Sequence, residues 1–128
     1  MKIVDFKNGI NAEIPSDWEL EENGNLMSLY NPENGVGALQ LSFYNVGDAS
    51  SIDVTKELEK YIEDKHENFI IKTINRHAYG DTEDEDGVYW RYWLFLEKSI
   101  VIFVSYNCDE SDKGVEDHLV DRILGSIS

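Results

Sequence analysis

Residues 88 to 106 read Val-Tyr-Trp-Arg-Tyr-Trp-Leu-Phe-Leu-Glu-Lys-Ser-Ile-Val-Ile-Phe-Val-Ser-Tyr. This run limits the possible folds more than any other segment. Val88 to Leu96 and Ile100 to Tyr106 are dense in the aromatic and β-branched side chains that suit a pleated surface. Only Glu97-Lys98-Ser99 separates them, so the spacing predicts an antiparallel hairpin. On the first strand Val88, Trp90, Tyr92, Leu94 and Leu96 share one face. Tyr89, Arg91, Trp93, Phe95 and Glu97 share the other. Both faces are apolar in the middle, which predicts a sheet covered on both sides.

Shorter strands precede this hairpin. Ile10, Ala12 and Ile14 alternate with polar residues until Pro15-Ser16-Asp17, and Trp18 and Leu20 resume the alternation. Asn23-Gly24-Asn25 is a turn signal. Leu26 to Tyr30 and Gly37 to Tyr44 form a second expected hairpin around Asn31-Pro32-Glu33-Asn34-Gly35. The period then changes. Val54, Leu58, Tyr61 and Ile62 fall on one helical face behind Asp53, a suitable N-cap, and the helix should fade near His66. Phe69 to His77 reads as a strand, Gly80 to Gly87 as an acidic loop without an apolar anchor, and Asp109 to Gly114 as a polar loop. Val115, Leu119, Ile123 and Ile127, reinforced by Val120 and Leu124, predict a closing amphipathic helix. Strands run together and helices are few, so the class is α+β: an antiparallel β-sheet with two main helices packed on it. At 128 residues one domain spanning 1–128 is expected, burying about two-thirds of its unfolded surface.

Charge sets the partners. The chain has 26 Asp and Glu against 11 Lys and Arg, a net charge of −15. From Asn8 to Thr55 it has no basic residue. Nucleic acid and anionic membrane are excluded as expected partners, because both need Lys and Arg to replace counterions. The acids form three groups: Asp17, Glu19, Glu21 and Glu22; Asp81, Glu83, Asp84, Glu85 and Asp86; and Asp109, Glu110, Asp112, Glu116, Asp117 and Asp121. Much of this charge is accounted for by solubility. A group that did more would steer a basic protein partner into contact. The first residues lack the apolar core of a signal peptide, and the longest apolar run is too short to cross a bilayer. The single Cys108 has no partner for an internal disulfide. A cytoplasmic location is the expectation.

Catalytic and cofactor motifs are not legible. With Gly87 set as the sixth position of an EF-hand loop, Thr82 stands first and Trp93 twelfth, and neither fits. His66, His77, His118 and Cys108 are too scattered for a zinc site, and His66 and His118 read as ordinary surface residues. Cys108 precedes Asp109 and Glu110, which disfavour a reactive thiolate. Gly35-Val36-Gly37 begins a dinucleotide fingerprint, but Gln40 stands in the third glycine position and a strand follows, so the glycines read as hairpin chemistry. No catalytic residue, metal ligand or cofactor is assigned. Tyr89, Arg91 and Trp93 read first as core. Left uncovered, they would make a Tyr/Arg/Trp surface of the kind enriched in binding hot spots.

The strand entering "IPSDW", the hairpin in "LYNPENGVGALQLSFY", the middle helix, the long hairpin "YWRYWLFLEKSIVIFVSYN" and the final helix ending "DRILGSI" together resemble the PsbP-like superfamily. The resemblance covers most of the chain at the level of pattern. It implies an antiparallel sheet sandwiched between helices. It also implies a binding or assembly role, as for the photosystem II subunit, the Ran-binding factors and the small bacterial proteins of that superfamily. It transfers no catalytic residue. The expectation is a non-enzymatic protein-binding module with a basic protein partner. Its expected contact residues are Asp81, Glu83, Asp84, Glu85, Asp86, Tyr89, Arg91 and Trp93. A bacterial toxin-neutralising (immunity) protein is one concrete form. The alternative is a small-molecule or metal-binding domain with a pocket between sheet and helix.

Overall fold

The computed structural model describes residues 1–74, 77–97 and 99–128, with every side chain among them except that of Lys7. In chain order the elements are β1 (Lys2–Asp5), β2 (Asn11–Ile14), β3 (Glu19–Asn23), β4 (Leu26–Tyr30), β5 (Gly37–Asn45), α1 (Val54–Glu63), β6 (Ile70–Ile74), β7 (His77–Glu83), β8 (Val88–Glu97), β9 (Ile100–Asp109) and α2 (Asp117–Gly125). Among the described residues, β1 and β2 pair alone. The others form a seven-stranded antiparallel sheet in the order β3-β4-β5-β9-β8-β7-β6. This is the α+β class, with β8 and β9 paired at the heart of the sheet from Val88↔Asp109 to Glu97↔Ile100.

Each face of β8 and β9 has its own core. On one side α1 lays Val54, Leu58 and Ile62 over Ala78, Tyr92, Leu94 and Val101. Asp53 caps this helix as expected, accepting from the Thr55 and Lys56 amides. On the other side, Ile10 just ahead of β2, Ala12 and Ile14 of β2, and Val120, Ile123 and Leu124 of α2 lie against Leu39, Leu41, Trp93, Ile102 and Tyr106. The double alternation of β8 is therefore the trace of two cores. α1 packs on β6, β7 and β8, and the same face of β4 and β5 bears the half-exposed Ser28, Gln40 and Ser42.

Three local expectations are corrected, and one strand, β1, was not expected. The strand expected over Phe69–His77 is two strands, β6 and β7, and Asn75 and Arg76 lie outside the described residues, as does Lys98 of the expected Glu97-Lys98-Ser99 turn. The expected loop from Gly80 to Gly87 is strand through Glu83, paired Asp81↔Arg91 and Glu83↔Tyr89. Gly80 belongs in that strand because the Ile62 and Ile71 side chains close on it, within 3.4 Å of where a Cβ would stand. Val115 is 63% exposed and precedes α2; the backbone turns at Gly114, φ +89°, and Glu116 behind it is buried against Tyr106. β1 had no signal, since three of its four residues, Lys2, Ile3 and Asp5, are exposed. No helix among the described residues is long and apolar enough to cross a membrane.

Candidate functional site

The register of β8 and β9 brings two acidic groups together. Val88 stands opposite Asp109, and the Glu110 amide donates to the Gly87 carbonyl at 2.8 Å. The turn Asp84–Gly87 therefore lies against the segment Asp109–Asp112. A groove of about 560 Å³ runs past them, lined in part by Gly37, Asp86, Asn107, Asp109 and Asp112. Glu85, Asp86, Asp109 and Glu110 are exposed. Among the described residues none of these four side chains makes an ion pair. The other acidic group lies along β3 instead, where Glu19, Glu21 and Glu22 line an edge strand and deter pairing with a second chain.

The remaining acids of the second group hold the structure. Asp81 Oδ2 accepts from the Tyr79 hydroxyl at 3.1 Å and the Tyr89 hydroxyl at 3.3 Å. Glu83 pairs with Lys113 at 2.7 Å. Asp84 builds its own turn: Oδ1 accepts from the amides of Asp86 and Val88 at 2.9 and 3.1 Å, and Oδ2 from the Trp90 indole at 3.0 Å. The acidic segment thus has an aromatic anchor, contrary to expectation. The Trp90 bond, helped by the Val88 amide, holds the Asp84 carboxyl below its usual range.

Tyr89, Arg91 and Trp93 do not form the surface that an open face would have made of them. They are 4%, 7% and 5% exposed, because α2 covers that face. Arg91 Nη2 reaches Asp121 at 2.8 Å, Nη1 lies 3.3 Å from Asp117, and Nε donates to the Tyr79 hydroxyl at 3.2 Å. Its guanidinium stacks 4.6 Å from the Trp93 ring centroid. Sequence spacing placed these three residues on one face of β8, but α2 follows about thirty residues later and no local pattern shows where it docks.

Beside the acidic turn, on the α1 face, is a half-open cleft of about 370 Å³ lined by Gln40, Tyr61, Lys65, His66, Asp84, Trp90, Tyr92 and Ser105. Trp90 and Tyr92, two apart on β8, lie parallel within 1° with centroids 5.7 Å apart. His66 is not an ordinary surface residue: Nε2 is 2.7 Å from the Tyr92 hydroxyl, and the ring packs on Trp90 and Tyr92. The Lys65 ammonium sits 4.6 Å from the Tyr61 centroid. None of these partners of the acidic turn was legible beyond the β8 alternation, since the post-helical segment docks by tertiary contact. Among the described residues no three His, Cys, Asp or Glu side chains converge as a metal site. Cys108 is buried, and burial raises its thiol pKa.

Burial lowers the His66 pKa, with Asp84 opposing and Lys65 reinforcing the shift. The sign follows from linkage. A histidine depressed in the fold favours the folded state above about pH 6.5, its unfolded value, and that contribution is lost as pH falls through the folded value. Between pH 7.5 and 5.5 the urea midpoint of the protein should fall more steeply than that of His66→Gln. Parallel pH profiles would show that His66 contributes no such dependence.

No protein-family model matches the chain, and no curated protein matches it in sequence. Solved structures do match in shape. A crystal structure from Bacteroides thetaiotaomicron superposes with a TM-score of 0.63 at 17% identity over 93% of this chain, which spans only 44% of that protein. The Saccharomyces cerevisiae Ran-binding protein Mog1p gives 0.66 at 11% identity, covering 99% of this chain and 94% of its own. The cyanobacterial PsbP (CyanoP) of Synechocystis gives 0.68 at 10% identity, covering 99% and 91%. An antiparallel sheet with a helix on each face, matched along nearly its whole length by PsbP and Mog1p, gives this chain the PsbP-like fold.

Proposed function

We propose that this chain is a non-enzymatic protein-binding module whose acidic end meets a basic protein partner. The observation that carries the reading is the union of Glu85 and Asp86 with Asp109 and Glu110 by the β8–β9 register. These four carboxylates are exposed and make no ion pair among the described residues, unlike Glu83. Such a field speeds encounter with a basic surface and weakens with salt. Mog1p, of like fold, is a Ran-binding protein, which supports a binding role by analogy of fold only. A toxin-neutralising protein is one form that this size and charge fit, and a cytoplasmic location accords with it.

The structure chooses the residues for the test. Asp84 must be left intact because its carboxylate holds the turn. The variant Glu85→Gln, Asp86→Asn, Asp109→Asn, Glu110→Gln should keep its fold. Used as affinity bait in a lysate of the source organism, it should lose basic proteins that the parent retains. With a retained protein purified, its association rate at low salt should fall roughly tenfold, within the range that steering supplies. Retention and rates equal to the parent would remove the acidic end as the binding surface.

A further inference from the structure

The cleft between α1 and the acidic turn is suited to a particular group on such a partner. We infer that it receives an arginine side chain, a deepening that rests on the protein-binding reading above. Three features converge. First, the cleft already holds a cation on an aromatic face: Lys65 stands 4.6 Å from the Tyr61 centroid. Lys65 is itself exposed and Tyr61 half-buried, so a competing cation can take its place. Second, the wall is aromatic. Trp90, half-buried, lies parallel to the buried Tyr92 within 1°, with the ring centroids 5.7 Å apart. A flat guanidinium stacks on such a surface better than a tetrahedral ammonium. Third, the rim carries acceptors. Asp84 Oδ2 takes one hydrogen bond, from the Trp90 indole, and a carboxylate oxygen accommodates two. Gln40 gives its amide nitrogen to Ser28 at 3.3 Å, which leaves its carbonyl end to accept. The Ser105 hydroxyl lines the same cleft.

The surrounding charge fits a cation arriving on a larger basic surface. A second basin of about 380 Å³ shares Lys65, His66 and Asp84 with the cleft and continues over Glu67, Glu83, Glu85 and Asp86. A partner lying on the acidic end therefore has its anchor within reach, with charge steering the approach and the aromatic wall selecting the side chain. Arg91 shows the same recognition inside the protein, between the Trp93 ring and the carboxylate of Asp121.

The test uses single residues as probes. N-acetyl-arginine methylamide is titrated into the full chain and followed by the Trp indole N–H resonances. Trp18 and Trp93 are 1% and 5% exposed, so only the Trp90 signal should move, and saturably. The lysine analogue should bind at least threefold more weakly, and the neutral norleucine analogue should leave the signal unmoved. Lys65→Met frees the Tyr61 face and should tighten arginine binding about threefold, the size of one exposed cation–π contact. Lys60→Met removes the same charge outside the cleft and should not. Equal binding of arginine and lysine, equal effects of the two lysine variants, or a stationary Trp90 signal would each overturn the inference. If the probe fails while the acidic-end variant still loses its basic partner, the cleft is refuted and the module stands. If the probe binds while that variant retains every partner, the module is refuted and the cleft stands.

Discussion

Removing both carboxylates that face Arg91, as Asp117→Ala with Asp121→Ala, is expected to destabilise the fold by about 3 kcal/mol, the lower end of the range for stranding one member of a buried ion pair. The guanidinium, 8% exposed with both carboxylates in place, would keep only the Tyr79 hydroxyl at its Nε. Asp117 and Asp121 are 36% and 58% exposed, which is why the upper end of the range does not apply. The reverse change should be milder. Arg91→Met keeps the volume against Trp93 and leaves two carboxylates that water can reach. The Tyr79 hydroxyl keeps Asp81 as its acceptor. A cost of about 1 kcal/mol is expected for such a hydrophobic replacement. Urea unfolding of the two variants at pH 7 measures the difference. If Arg91→Met costs as much as the double alanine variant, the pairing itself stabilises the attachment of α2.

Gly37→Ala should cost about 3 kcal/mol, at the top of the range for overpacking a filled core. A Cβ there would collide with the Asn107 carbonyl oxygen and lie 2.6 Å from the Tyr106 hydroxyl and 2.7 Å from its Cζ. Neither neighbour can yield cheaply. Asn107 belongs to β9, paired with β5 at Ala38. Tyr106 is 1% exposed and donates to Glu116 at 2.7 Å, so withdrawing the ring breaks a buried hydrogen bond that also fixes the start of α2. Urea unfolding gives the cost, and near-ultraviolet circular dichroism reports the displaced tyrosine. A cost under about 1 kcal/mol would mean that the β5–β9 contact relaxes freely, against the dense packing of protein cores.

Legibility followed the range of the interactions. The hairpin at Asn31–Gly35, the Asp53 cap and the two faces of β8 were readable because turn chemistry, capping and alternation act within a few residues. Gly35 and Gly37 were readable as hairpin glycines, but the reason for Gly37 lies in Tyr106, some seventy positions away. The end of β7 was misplaced because Asp81 and Glu83 look like loop residues in isolation. Their strand conformation comes from pairing with Arg91 and Tyr89. Val115 fitted the helical period and still fell outside α2, since the apolar period does not show where the turn at Gly114 ends.

The sequence by itself determined the antiparallel α+β class, two amphipathic helices, the cover on both faces of the most apolar strands, and an acidic surface unsuited to polyanions. These follow from side-chain period and net charge, which need no knowledge of what lies opposite. Only the tertiary structure decided which acids hold the fold and which make no ion pair among the described residues. Asp81, Glu83 and Asp84 are bonded by Tyr79, Lys113 and Trp90, whereas Glu85 and Asp86 meet Asp109 and Glu110 across two strands. It also placed Arg91 and Trp93 beneath α2 and His66 over Tyr92. The physical reason is the same in each case: a carboxylate or a ring takes its role from whichever neighbour desolvates it or bonds it, and that neighbour arrives from a distant part of the chain.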